Sequence, residues 1–196
     1  MAKAPIAGAV KTRLAAEIGV AGATRFARQA TAALIGRLGR DPRWQTILAV
    51  SPDTSAKTAI WPGKIVIRGQ GRGDLGQRMQ RLFEIDAPGP LVIVGTDIPS
   101  LSPAHIATAF RLLGRNDAVF GPALDGGYWL IGLSRRPRLL KPFARVRWSG
   151  PHALSDTVAN LPACAIALLP RLGDVDSAAA LSLCAGHVGR RLLPRS

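Results

Sequence analysis

Asp97 closes the run Leu91-Val92-Ile93-Val94-Gly95-Thr96-Asp97, which continues through Ile98-Pro99. Apolar residues from Leu91 to Val94, mostly β-branched, predict a strand buried on both faces. The strand stops at Gly95, and Pro99 forbids further sheet pairing at its own nitrogen. A carboxylate placed there stands in the crevice beyond the C-terminal end of a central strand, where open α/β sheets take ligands. Capping the turn is its other possible use. A second cluster lies at the start, MAKAPIAGAVKTR. Pro5 and Gly8 make residues 1–13 a loop, and Lys11-Thr12-Arg13 opens a helix towards Ile18. A basic loop entering a helix N-terminus can hold phosphate through backbone N–H groups and the helix dipole, or can be a solvated basic turn. It is not a Walker A loop, which would need glycine where Pro5 and Val10 stand. A third cluster, Asp125-Gly126-Gly127-Tyr128, is a tight-turn signal. It reads as a plain hairpin, or as glycines that let the backbone approach a ligand, with Asp125 and Tyr128 at its edge.

The run Gly69-Gln70-Gly71-Arg72-Gly73-Asp74-Leu75-Gly76 holds a GxGxxG match, and Asp97 lies at about the dinucleotide-fingerprint distance downstream. Two facts count against nicotinamide binding. The fingerprint belongs to the first βα unit of its domain, whereas a strand and a long helix precede this one, and its ribose-binding acid ends a strand directly. A glycine turn with Asp74 as N-cap explains the same residues without a ligand.

Strands and helices alternate around these clusters. A helix is expected over 21–40, with Phe26, Ala30, Ala33, Leu34 and Leu38 on one face and Arg25, Arg28, Arg37 and Arg40 mostly off it. Strands are expected over 45–50 and 64–68, and a helix over 74–85. The strand at 91–94 precedes a helix over 103–113 that starts at Ser102-Pro103. Strands at 118–121 and 128–133 flank the Asp125 turn. Residues 135–147 are irregular, a helix capped by Ser149 runs to 161, a strand covers 163–169, and a helix covers 178–184. This order predicts an α/β fold with a mostly parallel mixed sheet.

The 196 residues suit a single domain over 1–196, with 186–196 a basic, frayed tail. No apolar run is long enough for a membrane span, and the N-terminus lacks the apolar core of a signal peptide, so a cytoplasmic location is expected. Cys164 and Cys184 lack CxxC spacing and read as buried free thiols, and the histidines form no zinc-ligand pair. The net charge of +14 favours anionic partners. Basic residues are spread along the chain without interleaved aromatics, so a stacking platform for nucleic acid is not expected.

Six ordered blocks carry a resemblance: AKAPIAGAVKTRLA, GRGDLGQRM, VIVGTDIPSL, GPALDGGYWLIGL, RWSGP and DVDSAAAL. Together they resemble the DUF2064 family of GT-A-fold glycosyltransferase-like proteins, relatives of molybdenum-cofactor and phospholactate nucleotidyltransferases. The resemblance implies a three-layer α/β/α Rossmann-like GT-A fold. It implies that Gly8, Lys11 and Arg13 hold nucleotide phosphates and that Asp74 and Arg78 line the nucleotide side. Asp97 would be the metal position for Mg²⁺ or Mn²⁺, with Asp176 as a second acidic contact or merely a helix cap. Asp125, Gly126, Gly127 and Tyr128 would face the transferred group or acceptor, with Asp97 and Asp125 as catalytic residues. Two departures stand out. The family carries an apolar strand ahead of the AKAP loop, where this chain has only Met1, so the first strand is expected to be truncated, through a start assigned too far downstream or a compromised chain. Gly150 stands where relatives often have Thr.

The implied activity is transfer of a sugar from a nucleoside diphosphate sugar to a small-molecule acceptor. The alternatives are a nucleotidyltransferase joining an NTP to a phosphorylated acceptor, and a non-catalytic nucleotide- or nucleic-acid-binding module.

Overall fold

The structure, a computed structural model, describes residues 1–62, 65–85 and 89–173. These form two compact units, one from Met1–Gly69 and Gly95–Ser102, the other from Gln70–Val94 and Pro103–Leu172.

The first unit is a parallel three-stranded sheet in the order β1-β2-β3, formed by β1 (Ala2–Lys3), β2 (Ile47–Ser51) and β3 (Val66–Gly69). Helix α1 (Thr12–Leu38) joins β1 to β2. Ala2, Ala4, Leu48, Val50 and Trp61 form one apolar cluster. Leu14, Ala23, Phe26 and Ala30 form another along α1. The expected stripe is therefore largely the buried face, with Phe26, Ala30, Leu34 and Leu38 buried and Ala33 half-buried. Gly19 breaks α1 with φ 79 and ψ 157, so the expected separate helices meet end to end at a kink. An L-residue would be strained there.

The second unit carries a mixed four-stranded sheet in the order β4-β6-β5-β7. Its strands are β4 (Leu91–Val94), β5 (Ala118–Pro122), β6 (Tyr128–Leu133) and β7 (Ile166–Leu168). Strand β6 is antiparallel to β4 and β5, whereas β5 and β7 are parallel. Helices α2 (Leu75–Phe83), α3 (Pro103–Leu113) and α4 (Ala153–Ala159) complete it. All of β5 is buried, as is β6 after Tyr128.

The mixed α/β class agrees with the expectation. Several details differ. The 1–13 loop contains β1, whose register sets Ala2 beside Val50 and Lys3 beside Ser51; two residues are too few to show a period. Helix α4 starts at Ala153 after His152, and Ser149 instead takes a left-handed φ of 63, so it is not the cap. Cys164 is half-buried rather than buried, on the approach to β7. Cys184, the helix expected over 178–184 and the 186–196 tail lie outside the described residues.

Candidate functional site

The first unit assembles a charged centre from three pieces of chain. Ala4 N–H donates to Ser51 O at 2.8 Å, so β1 delivers the following loop from the edge of β2. The loop turns through Gly8, with φ 75, and reaches Lys11, the residue preceding α1, with φ 49 and ψ 47. A non-glycine residue in the left-handed region costs about 1–3 kcal/mol and persists only where its surroundings impose it. Lys11 N-caps α1 without a side-chain capping bond. Its ammonium instead reaches Asp97, with Nζ 3.1 Å from Oδ2. The Lys11 side chain is 6% exposed and that of Asp97 is 51% exposed. The buried cation thus meets a carboxylate whose outer side stays open. The Met1 amino group lies close by, and burial lowers it to about 6 despite the opposing charge of Asp97. Arg13 is exposed in the first turn of α1, whose leading N–H groups have no acceptor within the helix.

Arg37 fixes the segment bearing Asp97. One guanidinium nitrogen donates to Pro99 O at 2.7 Å, and burial lowers its pKa. Among the described residues its Nε has no hydrogen-bond partner. Sequence reasoning set Arg37 aside as mostly off the apolar face. Its spacing, three residues after Leu34 and seven after Ala30, was the signal that it shares that face.

The second unit holds two further groups of the expected residues. Asp74 N-caps α2 in a capping box, accepting from Gln77 N–H at 2.8 Å while Gln77 Oε1 accepts from Asp74 N–H at 3.1 Å. Arg78 donates to Asp74 O at 3.2 Å and to Oε1 of the buried Gln70 at 3.3 Å. Gly71 and Gly73 take φ values of 78 and 103, and Gly76 is buried where a Cβ would fall 2.7 Å from Trp148 and 2.8 Å from Phe143. Turn geometry and packing therefore account for all three glycines of the GxGxxG match. Gln70, the loop's buried acceptor, has no pattern that would have revealed it.

The Asp125 turn is a hairpin between β5 and β6. Asp125 Oδ1 accepts from Gly127 N–H at 2.9 Å, and Ala123 N–H donates to Gly127 O at 2.9 Å. Gly126 has φ 86, and a Cβ on it would run into the Pro151 backbone. The close approach that this glycine permits is thus to the RWSGP segment. Tyr128 packs edge-on to Phe120, with ring centroids 5.5 Å apart. Its hydroxyl is buried and makes no hydrogen bond of good geometry among the described residues. Burial pushes it up beyond the usual tyrosine range, and Thr157 opposes this only in part. Tyr128 therefore stays protonated at neutral pH.

Lys11 and Asp97 are thus brought into contact, with Gly8 and Arg13 on the same loop and helix start. Asp74 and Arg78 form one group in the second unit, and Asp125, Gly126, Gly127 and Tyr128 another. Asp176 lies outside the described residues. Among the described residues no three His, Cys, Asp or Glu side chains cluster as a metal site.

The family profile of DUF2064, described as an uncharacterized protein conserved in bacteria, matches residues 31–150. This chain belongs to the DUF2064 family. The matched stretch contains Arg37, the GRGDLG turn, Asp97 and the Asp125 hairpin, and begins after Lys11. Among solved structures, a candidate nucleotide-diphospho-sugar transferase from Desulfovibrio desulfuricans G20 matches at 26% identity with a TM-score of 0.86. The match covers 96% of this DUF2064 chain and 85% of that one. No curated protein sequence matches. The fold of this DUF2064 member is that of a transferase-like α/β protein.

Proposed function

We propose that this chain transfers a glycosyl group from a nucleoside diphosphate sugar to a small-molecule acceptor, and that the diphosphate is held at the Lys11–Asp97 centre. The observation that carries the reading is the 3.1 Å contact between a buried lysine and a half-exposed carboxylate where a basic loop enters a helix. Breaking the sugar–phosphate bond leaves negative charge on the departing diphosphate, and groups aimed at developing charge are the largest lever on such a barrier. Lys11 and Arg13 supply fixed positive charge, and the first N–H groups of α1 add donors and the positive end of its dipole. Gly8 lets the loop backbone pass close to the phosphates without a side chain in the way.

The donor set suits a divalent cation only as a partner of the diphosphate. Mg²⁺ typically takes one or two carboxylates together with substrate phosphates and water. Asp97 offers one such carboxylate, open on its outer side, with its charge held in place by Lys11. Asp97 would hold Mg²⁺ or Mn²⁺ there, and the ion would neutralise the leaving diphosphate. Arg37 sets the position of Asp97 through Pro99 and takes no part in the chemistry.

A screen of nucleotide sugars against wild type, with nucleoside diphosphate release as readout, tests the reaction. Metal-dependent release of nucleoside diphosphate is expected. Pyrophosphate release from an NTP with a phosphorylated acceptor would instead make the chain a nucleotidyltransferase. Saturable DNA binding with steep salt dependence and no nucleotide turnover would make it a binding module.

A further inference from the structure

The second unit contains, within itself, a cleft of about 650 Å³ that no step above uses. Its size is that of a small-molecule site. Arg72, Arg81, Lys141 and Glu84 line it, so its charge is strongly positive; Phe143 and Gln80 line it as well. Phe143 is buried and held between Phe83 and Trp148, with ring centroids 6.1 Å and 6.2 Å away, which makes a rigid apolar surface.

The cations divide by task. Arg81 is committed to structure, donating to Gln70 O at 2.7 Å and to Arg72 O at 3.1 Å, and so closing the glycine loop. The side chains of Arg72 and Lys141 are exposed and have no hydrogen bond or ion pair among the described residues. Gln80 supplies the second observation. Its amide nitrogen donates to Leu140 O at 3.4 Å and to Glu84 Oε1 at 3.3 Å. Both are acceptors, so chemistry fixes the amide orientation. Among the described residues its Oε1 is then left buried without a donor. An orphaned buried acceptor is costly and is usually satisfied by something.

We propose that this cleft binds a phosphate monoester of a small polyhydroxylated molecule. The phosphate dianion pairs with Arg72 and Lys141, matching the surplus of positive charge. A ligand hydroxyl donates to Gln80 Oε1, and the carbon skeleton lies against Phe143. The inference stands on the second unit alone and does not depend on the transferase reading.

Titration calorimetry with glucose 6-phosphate, glucose and inorganic phosphate tests it. Wild type should bind glucose 6-phosphate saturably, more tightly than inorganic phosphate, and glucose not at all. Affinity should fall below pH about 6, where the monoester loses its second charge. The double variant Arg72→Ala, Lys141→Ala should bind at least tenfold more weakly with an unchanged melting temperature, since neither side chain has a structural partner among the described residues. Gln80→Leu should keep inorganic phosphate binding and lose the preference for the sugar phosphate. Lys11→Gly should bind glucose 6-phosphate as wild type does. Absence of saturable binding, or full affinity in the double variant, would overturn the proposal. Loss of binding in Lys11→Gly would place the phosphate at the Lys11–Asp97 centre, overturning this inference while leaving the proposed function intact.

Discussion

Lys11 combines two features that are hard to explain by stability alone: a left-handed backbone and a buried ammonium aimed at Asp97. Lys11→Gly separates them. Glycine relieves about 1 kcal/mol of backbone strain, while the ion pair with a half-exposed carboxylate contributes little after solvent screening. The urea midpoint should therefore stay near wild type, while affinity for nucleoside diphosphates falls at least tenfold; an unchanged affinity would remove Lys11 from the site. Asp156 offers a test of sign. Its carboxylate accepts from Arg147 N–H at 3.0 Å, from Nε at 2.9 Å and from a second guanidinium nitrogen at 2.8 Å. These bonds hold its pKa well below the usual carboxylate range. A depressed folded-state pKa means the folded chain binds fewer protons than the unfolded chain, so stability rises with pH through this window. The contribution is complete above pH about 4, the unfolded value, and fades as pH falls towards the folded one. Urea midpoints of wild type and Asp156→Asn should differ at pH 7 and converge below pH 4; a gap that persists at low pH would contradict this.

At the scale of elements, two turns of the second unit have conformations set by single residues. Gly126→Ala would put a Cβ at φ 86 against the Pro151 backbone, which cannot swing aside as a side chain could. The expected loss is about 2–3 kcal/mol, read as a lowered urea midpoint. Asp74→Ala should cost about 1 kcal/mol through the capping box. Both effects are structural and should appear whether or not a ligand is present. The elements most legible in the sequence are those with the strongest punctuation. Strand β4, helix α3 and strand β6 have their expected boundaries, because Gly95 ends the first, Ser102-Pro103 opens the second and the Asp125 turn opens the third. Asp74 is the cap its spacing predicts. Strand β1 was not legible, since two residues carry no period. The start of α4 was missed because Ser149, a good cap by type, takes a left-handed turn instead. Of the candidate site, Lys11 and Asp97 were named from their loop and strand-end positions. Their contact joins residues far apart in the chain, and no local pattern encodes such a distance. Arg37 and Gln70 escaped notice because their partners, the Pro99 carbonyl and the Arg78 guanidinium, are brought close only by folding.

At the scale of the whole molecule, the net charge of +14 bears on how fast an anionic donor arrives rather than on the fold. Association rates for a nucleotide sugar should fall as ionic strength rises past about 0.1 M, where the Debye length is about 10 Å, with dissociation rates changing much less. Stopped-flow titration across salt separates the two, and a salt-independent association rate would contradict steering. The central claim is that Asp97, held by Lys11, takes a divalent cation together with a diphosphate. Its most direct test is calorimetric titration of nucleotide sugars into wild type and Asp97→Asn, each with and without Mn²⁺. Binding that Mn²⁺ strengthens in wild type and leaves unchanged in Asp97→Asn is the predicted result, with equal melting temperatures showing both folds intact. Equal enhancement by Mn²⁺ in the two proteins, or no nucleotide-sugar binding by wild type, would contradict it.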